Sequence, residues 1–250
     1  MRPRISNVGR RLSAIFFDVD DTLYSTTEFA SRARQNAVAA MVKQGLRLPV
    51  EVVRRELDEV ISEFTSNYPN HFDKLLLRLP QVSWAGTNRA LIIAAGIMSY
   101  HATKQELKPF PDVLPFFEEV SSKADVPLGI VTHGLEIKQA EKLLLLGVVP
   151  YLHPEAVFIS DQVGISKPNP KLYSRACARL GLDPSEVMYC GDSPAHDIDP
   201  AASLGMITVR VRRDNRFAHQ ESTTPPTYDI TSFDELIPML REDFELALDA

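Results

Sequence analysis

A four-residue apolar run, Ala14-Ile15-Phe16-Phe17, ends without transition in Asp18-Val19-Asp20-Asp21-Thr22. Nothing else in the chain constrains the fold as much. A short, unbroken apolar run bounded by polar residues reads as a strand covered on both faces, as strands of parallel sheets are. Such sheets bind ligands beyond the carboxyl ends of their strands. The turn that delivers two carboxylates one residue apart therefore occupies a site position. Leaving the strand twist, Asp18 and Asp20 can both face one reacting group while Val19 packs away. Carboxylates placed so can serve as nucleophile, general base or metal ligand. Aspartate and threonine also cap helices and close Asx-turns, so the pair alone leaves structural and chemical roles open.

The same punctuation recurs three times. Leu128-Gly129-Ile130-Val131-Thr132 is a strand ending in a hydroxyl, followed by His133 and Gly134. Thr132 and the backbone amides after it are donors for anionic oxygens. In Ser166-Lys167-Pro168-Asn169-Pro170 the prolines fix the backbone beyond Lys167, which makes its ammonium a positioned point charge. Val187-Met188-Tyr189-Cys190-Gly191 runs into Asp192-Ser193-Pro194-Ala195-His196-Asp197, bringing two more carboxylates across a short loop. Carboxylates gathered at strand ends repel unless a cation lies among them. Taken singly, each segment also has an ordinary reading as a turn, a solvated lysine or an exposed loop.

Between the first and second of these segments the pattern changes to helix only. Thr26 to Gly45 carries Phe29, Ala33, Ala37, Ala40 and Met41 at helical spacing, and Pro49 to Ser66 carries Val52, Val53, Leu57, Val60, Ile61 and Phe64. A short helix with Leu75, Leu76 and Leu77 follows, then a longer one from Thr87 to Leu107. Lys108-Pro109-Phe110-Pro111 reads as a return hinge. From Asp112 the pattern alternates: helix to Ser122, strand to Val131, helix Leu135 to Leu146, strand Val157-Ile159, helix Pro170 to Leu180, the Val187 strand, strand Ile207-Val211, and Tyr228-Ile230. The chain closes on a helix for which Ser232 and Glu235 have capping-box spacing. Parallel strands joined by helices, interrupted by a helical insertion that forms a cap, are the predicted organisation.

In this order the four segments resemble the motifs of the haloacid dehalogenase superfamily, hydrolases that form an aspartyl phosphate. Asp18 to Tyr24, Thr26 to Gly45, and Asn67-Tyr68-Pro69-Asn70-His71-Phe72-Asp73 with its leucines resemble the magnesium-dependent phosphatases of that superfamily found in archaea. The likeness covers nearly the whole chain and departs at His133, where the family usually carries a small or amide residue. It implies an α/β fold, a Rossmann-like doubly wound parallel sheet core from residues 1–25 and 108–250, with an inserted α-helical cap over 26–107.

The resemblance also implies roles. Asp18 would be nucleophile and metal ligand. Asp20 would be the general acid and base, with its backbone carbonyl on the metal and its acidity weakened for the first task. Asp192 would bind the metal directly, with Asp197 supporting it, and Thr132, His133, Gly134 and Lys167 would hold the phosphate. A carboxylate cleft of this kind repels a phosphate dianion unless a cation is present, and all-oxygen surroundings suit Mg2+. Tyr24, Asn67, Tyr68, His71 and Trp84 are candidate lining residues. The expected activity is Mg2+-dependent hydrolysis of a small phosphate monoester: a triose or sugar phosphate, a nucleoside monophosphate or a phosphoglycolate-like acid. A phosphomutase and a non-catalytic metal-binding module are the alternatives; Asp20 argues against a dehalogenase, whose leaving group needs no proton.

Composition agrees with a soluble enzyme: 250 residues, 44% hydrophobic, 24% charged, formal net charge -6. The acidic balance opposes a nucleic-acid partner, and no run is long enough to span a membrane. Arg2, Arg4, Arg10 and Arg11 form a basic end without the apolar stretch of a signal peptide. Cytoplasmic location, a small-molecule partner and a monomer or homodimer are expected. Cys177 and Cys190 read as buried thiols, neither at zinc-ligand spacing.

Overall fold

The computed structural model describes residues 11–65, 68–215 and 217–248. Six strands form one wholly parallel sheet in the order β3-β2-β1-β4-β5-β6. They are β1 (Ala14–Phe17), β2 (Leu128–Thr132), β3 (Leu152–Ile159), β4 (Val187–Gly191), β5 (Ile207–Val211) and β6 (Tyr228–Ile230). β1 lies in the middle, Ile15 opposite Leu128 on one side and Met188 on the other. Every residue of β1, β2, β4 and β5 is buried; β1, β2 and β4 read as nearly continuous apolar runs, whereas β5 alternates Ile207, Val209 and Val211 with the buried Thr208 and Arg210. β3 is longer than its apolar stretch Val157–Ile159 because its first half runs half-exposed along the sheet edge, where no apolar signal is needed.

Chain connections reverse direction between β1 and β4, so right-handed crossovers lay helices on both faces. Alternation along β1 supplies both cores. Phe16 faces a cluster with Phe158, Leu172, Tyr173, Cys177 and Tyr189. Phe17 points the opposite way, its ring 4.7 Å from Phe117 and 5.6 Å from Phe233. Truncating either to alanine should cost about 3–5 kcal/mol. Gly129 lets β2 pass: a Cβ there would stand 2.5 Å from the Phe16 ring.

The chain divides into two compact units, one built on the sheet (through Thr26 and again from Lys108) and one formed by Thr27–Leu107. The sheet unit contains α5 (Val113–Lys123), α6 (Glu136–Leu146), α7 (Ser160–Val163), α8 (Lys171–Arg179), α9 (Asp199–Ala202) and α10 (Leu236–Phe244). The Ser232–Glu235 capping box forms as its spacing predicts, ahead of α10. The other unit is made by α1 (Thr26–Lys43), α2 (Val50–Phe64), α3 (His71–Arg78) and α4 (Arg89–Lys104). Its core gathers Val38, Met41, Leu46, Val53, Leu57, Leu75, Leu76 and Ile92. α4 begins where Asn88 accepts the Ala90 amide at 2.8 Å and stops three residues before the expected Leu107. None of the described helices is long and apolar enough to cross a membrane. Arg2, Arg4, Arg10 and Asn67 lie outside the described residues.

Candidate active site

β1 and β4 end side by side, Phe17 opposite Cys190, and the Asp18 amide donates to the Cys190 carbonyl at 2.9 Å. Asp18 and Asp192 thus flank the point where strand order reverses, the usual ligand position in an open α/β sheet. Asp197 joins them from the π turn Pro194–Ile198, where the Ser193 hydroxyl accepts the His196 amide at 3.4 Å. Gly191 makes room for it: a Cβ there would lie 2.5 Å from Asp197 Cγ. Each of the three buried aspartates brings a carboxylate oxygen to within 4.8 Å of the others.

One ammonium stands among them. Lys167 Nζ donates to Asp18 Oδ1 at 2.6 Å, Asp197 Oδ1 at 2.7 Å and the Tyr189 hydroxyl at 2.6 Å. Among the described residues, three carboxylates against a single cation leave the cluster short of positive charge. Burial pushes Asp18 up to about 7 despite Lys167, with Asp197 adding to the rise. Burial, then Asp197 and Asp18, push Asp192 up to about 9. For Lys167 burial disfavours the charge, but Asp18 and Asp197 outweigh it and hold the amine protonated. All-oxygen donors with excess negative charge fit a hard divalent cation.

Asp20 keeps different company. Both its oxygens accept from Lys142 Nζ, at 2.6 and 2.9 Å; Gln139 Nε2 donates at 2.9 Å, the Tyr24 hydroxyl at 2.5 Å and Thr26 Oγ1 at 3.0 Å. Burial would raise its pKa, yet the charge of Lys142 and these hydrogen bonds hold it below the ordinary carboxylate value. The expectation of a weakened acid at Asp20 is corrected: α6 places Gln139 and Lys142 one turn apart on it, and the carboxylate is ionised. Asp20 is not one of the three clustered aspartates, although its charge adds to the rise at Asp18, and Tyr24, expected as a lining residue, is its buried partner.

Thr132 ends β2 fully buried, and its hydroxyl has no hydrogen-bond partner among the described residues. An orphaned donor of this kind fits an anionic ligand. His133, next in the chain, is exposed, and its Nδ1 lies 2.6 Å from the Ser166 hydroxyl. Partial burial, with Lys167 and His196 nearby, pushes its pKa down. The Gly134 amide, expected to serve phosphate, donates to Ser160 Oγ at 2.9 Å in this arrangement. In the helical unit Trp84 packs against the core, and the Tyr68 and His71 rings lie 5.5 Å apart beside Thr65, whose carbonyl is 2.7 Å from His71 Nε2. Tyr189, Gln139, Lys142 and Asn215, which donates to Asp192 Oδ2 at 2.8 Å, were not singled out by sequence. Only Tyr189, a hydroxyl midway along a buried strand, carried a local signal.

A family model described as a haloacid dehalogenase-like hydrolase matches residues 12–205. The chain belongs to that family. Among relatives of this haloacid dehalogenase-like hydrolase, a "Glyceraldehyde 3-phosphate phosphatase" of Methanopyrus kandleri is 41% identical over 237 residues, covering 92% of this chain and 98% of the relative. One of the same description from Methanocaldococcus jannaschii is 36% identical over 231 residues, covering 92% and 97%. A crystal structure of a HAD phosphatase from Thermococcus onnurineus superposes with a TM-score of 0.65 at 24% identity, covering 92% of this chain and 99% of that one, and shows the same fold.

Proposed function

We propose that this hydrolase is a Mg2+-dependent phosphatase that works through an aspartyl phosphate on Asp18, and that its substrate is a three-carbon sugar phosphate of the glyceraldehyde 3-phosphate kind. The observation that carries the reading is the buried Asp18 carboxylate, held by Lys167 within a cluster short of positive charge and accompanied by the orphaned Thr132 hydroxyl. The relatives' description supports the substrate.

Asp18, Asp192 and the Asp20 carbonyl would hold Mg2+, with Asp197 behind them. When bound, the ion supplies charge neutralisation that lets carboxylate and phosphate dianion approach. Asp18 Oδ attacks phosphorus as the ester P–O bond breaks. Thr132 and Lys167 donate to the phosphoryl oxygens, the fixed donors that phosphoryl transfer depends on. Asp20 would take up a proton from solvent before the first step, give it to the leaving alkoxide, and later take one from the water that cleaves the acyl phosphate, which releases inorganic phosphate and restores Asp18. The ionised Asp20 held by Lys142 and Tyr24 is the form suited to that second half. The helical unit Thr27–Leu107 serves as the cap that governs specificity. Two buried free thiols suit a reducing cytoplasm.

The test is a phosphate-release screen with Mg2+ over glyceraldehyde 3-phosphate, other sugar phosphates, nucleoside monophosphates and phosphoglycolate. Preference for the triose phosphate with stoichiometric inorganic phosphate is expected. Isomerised phosphosugar without free phosphate would make the enzyme a mutase. No turnover of any ester would leave a metal-binding module.

A further inference from the structure

We propose that Asn215 is a positioning residue for the cation site, orienting Asp192 and so setting the affinity for Mg2+; the inference rests on the metal reading above. Its carboxamide has a fixed orientation. Oδ1 accepts the Phe217 amide at 2.8 Å, which leaves Nδ2 as the donor to Asp192 Oδ2, also at 2.8 Å. With one oxygen engaged, the Asp192 carboxylate cannot rotate freely about its side-chain bond.

The loop that carries Asn215 is tied down from three directions. Arg210, wholly buried on β5, donates through Nη2 to the Phe217 carbonyl at 2.7 Å. Arg212 donates to the Ala218 carbonyl at 2.9 Å while its fork grips Asp229 at 2.7 to 2.9 Å. Arg213 reaches Asp112 at 2.7 Å and the Thr231 carbonyl at 2.8 Å. Arg210 is the informative one. Among the described residues its Nε and Nη1 have no hydrogen-bond partner, and its ion pair to the exposed Glu221 is 3.8 Å long. A guanidinium buried with so few partners costs stability. That cost is intelligible if the position of the loop matters to the site. Geometry agrees, since Arg210 pairs in register with Gly191, the residue before Asp192. The strut leaves the sheet beside Asp192 and returns to it through Asn215.

Partners that orient a metal ligand typically change affinity by about 10- to 100-fold when removed. Calorimetric titration of the full chain with MgCl2, without substrate, should show Kd raised by about that factor in Asn215→Ala and in Asn215→Leu. Melting in chelator should match the wild type, because the half-buried amide contributes to Asp192 orientation and little to the core. Unchanged Kd in both variants, with normal binding by the wild type, would overturn the inference. So would a loss of affinity matched by an equal loss of melting temperature in chelator, which would assign Asn215 to folding. A wild-type chain that binds no Mg2+ would overturn the metal reading and this inference with it.

Discussion

Two lysine–aspartate groupings stand at the carboxyl ends of the sheet, and they have opposite electrostatics. Lys167 is enclosed with three buried carboxylates, of which Asp18 is pushed up to about 7 and Asp192 to about 9. Lys142 meets one half-buried carboxylate, Asp20, already supplied with hydroxyl and amide donors, and Asp20 is held low. The first grouping lacks positive charge and the second is complete. A carboxylate's behaviour here follows from how many like charges share its donors, more than from its being next to a lysine. The two aspartates of one short motif, Asp18 and Asp20, are thereby given different chemistry by residues more than a hundred positions away.

The largest effect is expected at Asp18. Asp18→Asn keeps the volume and removes the nucleophile, so turnover should fall by about 10⁴-fold or more. Melting in chelator should not fall, since one of three repelling carboxylates is gone. Near-wild-type turnover, measured as phosphate release, would remove Asp18 from its role.

Asp20→Asn should cost about 10²- to 10⁴-fold on an alkyl phosphate, the scale of one positioned proton transfer. An aryl phosphate should lose less in the first step, because phenolate departs without a proton. Rapid-mixing traces should then show a burst of phenol followed by slow turnover. Equal losses on both esters with no burst would show that the complete grouping does not carry the proton.

Removing each lysine sharpens the contrast on stability. Lys167→Met strands buried acids and should cost about 3–5 kcal/mol at neutral pH without metal. Lys142→Met leaves Asp20 its other donors and should cost about 1.5–3 kcal/mol, the scale of a hydrogen bond to a charged group. Denaturant unfolding in chelator reads both, and a larger loss for Lys142→Met would reverse the ranking.

The gentlest test is pH. Asp18 and Asp192 titrate from an ordinary 3.8 in the unfolded chain to about 7 and about 9 when folded without metal. The folded state therefore binds more protons, and its stability is highest below about pH 4 for these groups and declines as pH rises toward 9. Asp20, held low, contributes the opposite way, its share lost as pH falls below its ordinary value. Melting temperature in chelator should thus fall between pH 5 and 9, and Mg2+ should raise it more at pH 8 than at pH 5, as the cation replaces protons. A chelator melting curve flat with pH would mean the cluster is not short of charge.

Much of this was legible because strands buried on both faces are mostly apolar. Ala14–Phe17, Leu128–Thr132 and Val187–Gly191 announce themselves in that way, and the polar residue that ends or follows each apolar run is at a strand's carboxyl end by construction. That is enough to bring Asp18, Thr132 and Asp192 to one edge of a sheet. Cap chemistry is equally local, as at Ser232 and Glu235. The edge half of β3 was not legible, because an exposed strand needs no apolar pattern.

Periodicity and turn chemistry act over a few residues, so the sheet, the helical insertion and the identity of the acids at the strand ends are written in the chain. The charge states of those acids come from long-range contacts. Gln139 and Lys142 reach Asp20 across 119 and 122 positions, Tyr189 meets Lys167 across 22, and Asn215 meets Asp192 across 23. None of these pairs shares a periodic pattern. Each exists because parallel strands deliver distant segments to one end of the sheet, where burial strengthens whichever charges happen to meet.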